Sequence, residues 1–152
     1  MEDRSPAGRT FALGDIHGCS TALRTLIEAI DPGPQDVIVT LGDYIDWGPD
    51  SREVIEELIA LARRSLQIPL LGNHEEMLLA AQESRSEMRF WLRFGGEETI
   101  NSYSHYEGAG TLLEEHLRFI RGCRDYFETD AHIFVHANYE HRLPMDRVGG
   151  TK

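Results

Sequence analysis

The stretch Gly42-Asp43-Tyr44-Ile45-Asp46-Trp47-Gly48-Pro49 decides the fold prediction. It follows the β-branched run Val37-Ile38-Val39-Thr40-Leu41, which is typical of a buried strand. Two carboxylates, Asp43 and Asp46, stand three residues apart between glycines, directly after that strand. Because ligands collect at the carboxyl ends of strands in α/β proteins, this pattern favours a metal site over a core segment.

Two similar junctions flank this stretch, Leu13-Gly14-Asp15-Ile16-His17-Gly18 before it and Leu71-Gly72-Asn73-His74-Glu75 after it. Each has an apolar residue, a glycine and an oxygen ligand, with a histidine at most two positions further on. Taken alone, each Asp is also compatible with a helix cap, and Asn73 with a turn. Taken together, the three junctions predict that one sheet edge carries Asp15, His17, Asp43, Asp46, Asn73 and His74.

The order of elements predicts a parallel sheet with right-handed crossovers. Strands are predicted at 10–13, 37–41 and 65–71, with Pro69 indicating an edge strand. Asp50 and Glu53 have the spacing of a capping box for a helix after the second strand, and Thr111 is expected to cap a later one. The remaining predicted elements are helices after 20, over 74–82, 88–94, 97–103 and 111–121, and a hairpin of strands 126–128 and 132–136.

Composition limits the class of protein. A chain of 152 residues predicts one domain spanning 1–152 with a substantial core. The formal net charge of −11 argues against nucleic acid or an anionic membrane surface as a general partner. No apolar run approaches the ~20 residues of a membrane span. Cys19 and Cys123 are unpatterned, which favours free thiols and a cytoplasmic location.

The ordered motifs resemble the metallophosphoesterase superfamily, specifically its phosphoprotein phosphatase branch. The family patterns GDxHG, GDxxDRG and GNHE stand here at residues 14–18, 42–48 and 72–75, and a later histidine follows a strand in Val135-His136-Ala137. Bacterial members also look similar at Trp91-Leu92, Gly95-Gly96 and 99–103. The resemblance covers about 11–138. It implies an α/β metallophosphoesterase fold, a β-sandwich flanked by helices, with the site at the strand carboxyl ends.

The resemblance implies two divalent cations that share Asp43. The first would be held by Asp15, His17 and Asp43, and the second by Asp43, Asn73 and His136. Mixed oxygen and imidazole donors suit manganese, iron or zinc, of which manganese is preferred here. His136 lies within an apolar strand, so a structural histidine is the alternative interpretation of that residue.

The resemblance also implies a reaction. A hydroxide shared by the two cations would attack phosphorus in line, and His74, oriented by Asp46, would protonate the leaving oxygen. The expected protein is a metal-dependent phosphomonoester hydrolase, specifically a serine/threonine protein phosphatase. Its substrate would be a phosphoprotein or a small phosphoester.

Two departures from the family pattern affect this expectation. Trp47 occupies the position at which the family usually has a phosphate-binding arginine, and an indole lacks the charged fork of that side chain. The family also continues past the end of this chain with another metal-binding histidine. We therefore expect the C-terminal strands of the sandwich to be missing, with weak or absent catalysis. An exposed sheet edge near 133–135 and self-association through it should follow.

Two alternatives remain open. Diadenosine tetraphosphate hydrolases look similar, since they share Gly-Asp-x-His-Gly-Cys, matched here through Cys19, and a Gly-Pro-x-Ser stretch, matched by residues 48–51. Asp46 stands where they usually have alanine, which favours the protein phosphatase branch. The other alternative is a metal-binding scaffold with impaired catalysis, which Trp47 and the missing histidine both favour.

Overall fold

The computed structural model describes residues 8–104 and 112–137. These residues form a parallel sheet, a set of helices and an antiparallel hairpin. In chain order the elements are β1 (Thr10–Leu13), α1 (Ser20–Ile30), β2 (Val37–Thr40), α2 (Ser51–Leu61), β3 (Leu66–Pro69), α3 (Asn73–Ala81), α4 (Arg85–Trp91), a kinked turn (Leu92–Gly96), α5 (Glu97–Tyr103), α6 (Glu114–Arg121), β4 (Tyr126–Glu128) and β5 (Ile133–Val135).

The parallel sheet has β2 at its centre, with β1 and β3 on either side. Val37 lies opposite Thr10 of β1 and Leu66 of β3. The predicted strand–helix–strand order and parallel pairing are confirmed, and Pro69 lies on an outer strand of this sheet as expected. Because the strands are parallel, the loops that carry the three motifs leave the same edge of the sheet.

The apolar run of β2 contributes to two hydrophobic clusters on opposite faces of the sheet. Ile38 is buried in the larger cluster with the helices, whereas Val39 is buried in the smaller one with Ile68 and Leu70. This alternation explains the nearly continuous apolar sequence, because side chains on both faces of the strand are covered. The helical cluster includes Leu23, Ile27, Val54, Ile55, Leu58, Leu78, Trp91, Leu117 and Ile120.

The hairpin of β4 and β5 covers the second face of the sheet. Phe127 and Phe134 lie opposite each other, with ring centroids 5.9 Å apart, and both pack against the cluster around Val39. A parallel bridge between Leu70 and Arg124 continues the sheet towards the hairpin. The two β layers and the helices packed against the parallel sheet confirm the predicted α/β architecture, a β-sandwich flanked by helices.

The predicted capping interactions are wrong. Asp50 is the N-cap residue of α2, but it makes no capping hydrogen bond there. Its carboxylate instead accepts a hydrogen bond of 2.8 Å from the Ser20 hydroxyl at the start of α1, so Asp50 joins two helices. At α6, Leu113 is the N-cap residue, and Thr111 lies outside the described residues. Over 8–104 and 112–137, no helix combines the length and the apolar character that a membrane crossing needs.

The outer edge of the hairpin generates a prediction about self-association. Among the described residues β5 pairs with β4 alone, and Ile133 is 40% exposed. Such edges pair with further strands unless a charge blocks them. We predict a concentration-dependent rise in mass by light scattering, which Ile133→Lys removes. Leu26→Lys, at an exposed position of α1, is the matched control and should leave the rise unchanged. A wild-type protein that stays monomeric at every concentration would contradict the prediction.

Candidate metal centre

The loop after β1 is hydrogen-bonded to the loop after β2. The backbone N–H groups of Ile16 and His17 both donate to the carbonyl oxygen of Asp43 at 2.9 Å, and that of Gly18 donates to Tyr44 at 2.9 Å. These bonds satisfy loop amides that lie outside any strand ladder. They also hold the first motif beside the second.

Glu75 joins the loop after β2 to the loop after β3. Its side chain is fully buried, and its carboxylate accepts hydrogen bonds from four backbone N–H groups. Tyr44 and Ile45 donate to Oε1 at 2.8 and 3.4 Å, whereas Asp43 and Gly72 donate to Oε2 at 2.8 and 3.0 Å. Burial raises the pKa of Glu75, and the backbone N–H groups oppose this effect. The second and third motifs are therefore connected through one buried carboxylate.

The close approach of these two loops requires glycine. Gly42 has a φ of +100°, and a Cβ atom placed on it would lie 2.6 Å from the backbone nitrogen of Gly72. A larger residue at 42 would therefore separate the second motif from the third.

The motif loops also contain backbone conformations that are unusual for residues with side chains. His17, Asp43, Asp46 and Trp47 have φ values of +44°, +53°, +71° and +65°. In the described part of the chain, only one other non-glycine residue, Asp31, has a positive φ. Conformations of this kind cost on the order of 1–3 kcal/mol each and concentrate at functional sites. The strain lies in the loops that carry the predicted site residues.

One group of donor atoms is formed by Asp15, Asp43 and His136, whose ligating atoms lie within 4.8 Å of one another. His136 Nδ1 donates to the Leu41 carbonyl at 2.7 Å, so its Nε2 presents a lone pair to the site. That Nε2 is 3.0 Å from Asn73 Oδ1 and 3.4 Å from Asp43 Oδ1. Three acceptors that face one another fit a bound cation better than a hydrogen-bond network.

The second group is formed by His17, Asp43 and His74, again within 4.8 Å. His17 Nδ1 lies 2.9 Å from the Ile45 carbonyl, and its Nε2 lies 3.7 Å from Asp43 Oδ2. Asp43 therefore has one oxygen near His136 and the other near His17. This arrangement suits a carboxylate shared between two cations.

The structure brings all five predicted metal ligands together, namely Asp15, His17, Asp43, Asn73 and His136. Their grouping by distance differs from the expected one. Asp15 groups with Asp43 and His136, and His17 groups with Asp43 and His74. Asp43 belongs to both groups in the expected arrangement and in the observed one.

The predicted acid pair adjoins these groups, and its His74 also belongs to the second of them. His74 Nδ1 is 2.8 Å from Asp46 Oδ2, and Asp46 is fully buried. The same carboxylate accepts hydrogen bonds from Trp91 Nε1 at 2.9 Å and from the Thr99 hydroxyl at 2.6 Å. Burial disfavours protonation of His74, but the bond to Asp46 and the nearby charge of Asp43 outweigh it and raise the pKa of His74. With Nδ1 bound to Asp46, His74 presents its Nε2 atom for proton transfer.

The family model described as calcineurin-like phosphoesterase matches residues 8–149. The chain belongs to this family. A serine/threonine-protein phosphatase 1 from Salmonella typhimurium is 38% identical over 133 residues, which are 85% of this chain and 58% of the relative. A symmetrical bis(5'-nucleosyl)-tetraphosphatase from Janthinobacterium sp. is 34% identical over 103 residues, which are 55% of this chain and 37% of the relative. The chain thus spans about half the length of these relatives.

Solved structures agree with this phosphoesterase fold. A protein named as a candidate diadenosine tetraphosphatase superposes with a TM-score of 0.68 at 24% identity, and the alignment covers 94% of this chain and 56% of that one. A metallophosphoesterase from Sphaerobacter thermophilus gives a TM-score of 0.53 at 22% identity, over 81% of this chain and 44% of that one. At this level of identity, the similarity concerns the fold alone.

Three residues around the candidate site make contacts that the sequence did not predict. Glu75 was noted only as the last letter of a motif, although its position three residues after the N-cap Gly72 is a capping-box signal. Trp91 lies in the predicted helix 88–94; it is buried, and its indole N–H donates to Asp46. Thr99 lies in the stretch 99–103 that resembles bacterial family members, but nothing in the sequence identifies Asp46 as its partner. Its hydroxyl reaches Asp46 because the kinked turn before α5 brings Gly95 against the second motif.

We predict that Glu75→Gln destabilises the phosphoesterase domain. The amide nitrogen of Gln would face backbone N–H donors and leave them unsatisfied, at a cost on the order of 2–4 kcal/mol in the free energy of unfolding. Urea denaturation measures this change. Glu76→Gln, at the exposed neighbouring position, is the control and should stay within about 0.5 kcal/mol of the wild type. Equal stability of the two variants would contradict the role given to Glu75.

Proposed function

We propose that this chain is a phosphomonoester hydrolase that uses two divalent cations bound by Asp15, His17, Asp43, Asn73 and His136. The observation that carries the proposal is the position of the Asp43 carboxylate, with Oδ1 facing His136 and Oδ2 facing His17. Such a shared carboxylate is what two cations a few ångströms apart require.

The chemistry of the donors supports transition-metal cations. Carboxylate, amide and imidazole groups together suit manganese, iron or zinc, and we propose manganese. The bonds from His17 and His136 to backbone carbonyls keep a ring nitrogen of each available as a ligand. When bound, the cations would supply a nucleophile from water and offset the negative charge of the phosphate.

The protein's own groups handle the proton on the leaving oxygen. His74 Nε2 delivers a proton as the ester bond breaks, because Nδ1 is held by Asp46 at 2.8 Å. Trp91 and Thr99 act as positioning residues, since their hydrogen bonds fix the Asp46 carboxylate. The site is rich in carboxylates, so a phosphate approaches it favourably only with cations present.

We infer that the preferred substrate is a serine/threonine phosphoprotein. The relative named serine/threonine-protein phosphatase 1 aligns with 85% of this chain, which supports this choice. Symmetrical bis(5'-nucleosyl)-tetraphosphatases form a second candidate class, since several relatives of this name align with about half or more of the chain. A scaffold with impaired catalysis is the third, since Trp47 offers a neutral donor to a phosphate. Losing charged hydrogen bonds at this position would cost on the order of 2–4 kcal/mol of transition-state stabilisation.

The hydrolase proposal predicts a leaving-group-dependent effect of His74→Asn. A general acid contributes roughly 10²–10⁴-fold to the rate, and less where the leaving group departs without a proton. With manganese present, we expect a large loss of kcat/KM on an alkyl phosphate and a smaller loss on 4-nitrophenyl phosphate. Chelation of the metal should abolish both activities, and manganese should restore them.

His132→Asn is the matched control, because His132 is an exposed residue of the hairpin loop. It should leave kcat/KM within about twofold of the wild type on both phosphates, the range of an ordinary surface substitution. A His74→Asn variant with wild-type rates on both substrates would contradict the proposed acid. Absence of any phosphate release from metal-loaded wild type would contradict the hydrolase and favour the scaffold.

A direct comparison of substrates separates the two hydrolase classes. We predict a higher kcat/KM on a phosphoserine peptide than on diadenosine tetraphosphate, both measured with manganese. Phosphate release and nucleotide chromatography follow the two reactions in parallel. The reverse order would assign the chain to the dinucleotide class.

A further inference from the structure

Trp47 is a large aromatic side chain that stands beside the proposed acid and remains open to solvent. It is 54% exposed, although it is flanked by the fully buried Asp46. The ring centroids of Trp47 and His74 lie 6.2 Å apart, with an angle of 67° between the ring planes. The edge-on contact leaves indole surface uncovered next to the residue that would protonate the leaving group.

The position of this indole is set by backbone contacts. Trp47 has a φ of +65°, an unfavourable conformation for a bulky residue. Gly95, with a φ of +93°, lies so close that a Cβ atom on it would be 2.7 Å from the Trp47 nitrogen and 2.9 Å from Cδ2 of the indole. The ring is therefore held in place while a large part of it is left free.

The chemistry of an exposed indole in this place points to an aromatic partner. The indole of Trp47 carries no charge and offers only a neutral N–H donor, so it cannot give a charged hydrogen bond to a phosphate. Its ring can stack on, or meet edge-on, another aromatic ring, with a gain beyond simple burial. Because Trp47 stands beside His74, the proposed acid, a ring that contacts Trp47 would lie on the leaving-group side of a bound phosphoester.

We propose that Trp47 is a specificity-determining residue that favours phosphoesters with an aromatic ring close to the phosphate on the leaving-group side, which in a phosphoserine or phosphothreonine peptide is an aromatic side chain next to the phosphorylated residue. This inference rests on the proposed phosphoester hydrolase. Aromatic pairs contribute enough to change an affinity roughly 2- to 12-fold relative to an apolar group of similar size. We therefore expect an aromatic ring to be preferred over its saturated counterpart when the phosphate group is the same.

Binding of two non-hydrolysable phosphonates tests this proposal without relying on turnover. The probes are 2-phenylethylphosphonate and 2-cyclohexylethylphosphonate, titrated calorimetrically into the manganese-loaded protein. Wild type should bind the phenyl compound roughly 2- to 12-fold more tightly. Trp47→Leu should bring the two dissociation constants within about twofold of each other, by weakening the phenyl compound alone. Trp47→Phe, which keeps an aromatic ring, should retain most of the preference.

Phe90→Leu provides the matched control. Phe90 is 41% exposed, and its ring packs against Phe94, 4.7 Å away between centroids, instead of against His74. This variant should keep the wild-type ratio of dissociation constants. Equal affinities of wild type for the two phosphonates, or an affinity ratio that Trp47→Leu leaves unchanged, would contradict the proposed role of Trp47. Neither result would contradict the proposed phosphoester site. If neither phosphonate binds to wild type, both the proposed phosphoester site and this inference are wrong.

Discussion

The interaction on which the site depends is the set of hydrogen bonds from four backbone N–H groups to the buried carboxylate of Glu75. Asp43 and Gly72 belong to loops that follow different strands, and both donate to the same oxygen atom of Glu75. A charged acceptor with several donors is among the stronger interactions that a buried loop can make. It stabilises a positive φ at Asp43, which an isolated loop would not maintain. The position of the proposed metal-binding carboxylate is thus fixed by Glu75, which belongs to neither group of candidate ligands.

The loop held by Glu75 carries two sets of proposed functional groups, one around Asp43 and one around Asp46. On one side, the two oxygens of Asp43 face His136 and His17, whose other ring nitrogens are fixed by backbone carbonyls. On the other side, Asp46 holds His74. Each reactive group is therefore oriented by a partner behind it, which is the arrangement that pre-organised sites require. The scaffold supplies this precision because the loops leave one edge of a parallel sheet whose two faces are both covered.

Much of this arrangement is predictable from local sequence. The β-branched run 37–41 predicts the central strand, and the Gly–acid or Gly–amide pairs after the three predicted strands indicate which loops converge. Interactions between distant residues could not be predicted in this way. Thr99 and Trp91 contact Asp46 across 53 and 45 residues of sequence, and no periodicity encodes such contacts. In the predicted helix 88–94, local sequence does not separate Phe90 and Phe94 from Trp91, yet both phenylalanines are 41% exposed, because Trp91 occupies the buried face of α4 and the chain bends at Phe94 and Gly95.

The central claim is that Asp43 is shared between two cations. Anomalous diffraction from crystals grown with manganese tests it most directly. The account predicts two peaks, one on each side of the Asp43 carboxylate, with His136 and Asn73 near one and His17 near the other. A single peak remote from Asp43, or no peak among these residues, would contradict it.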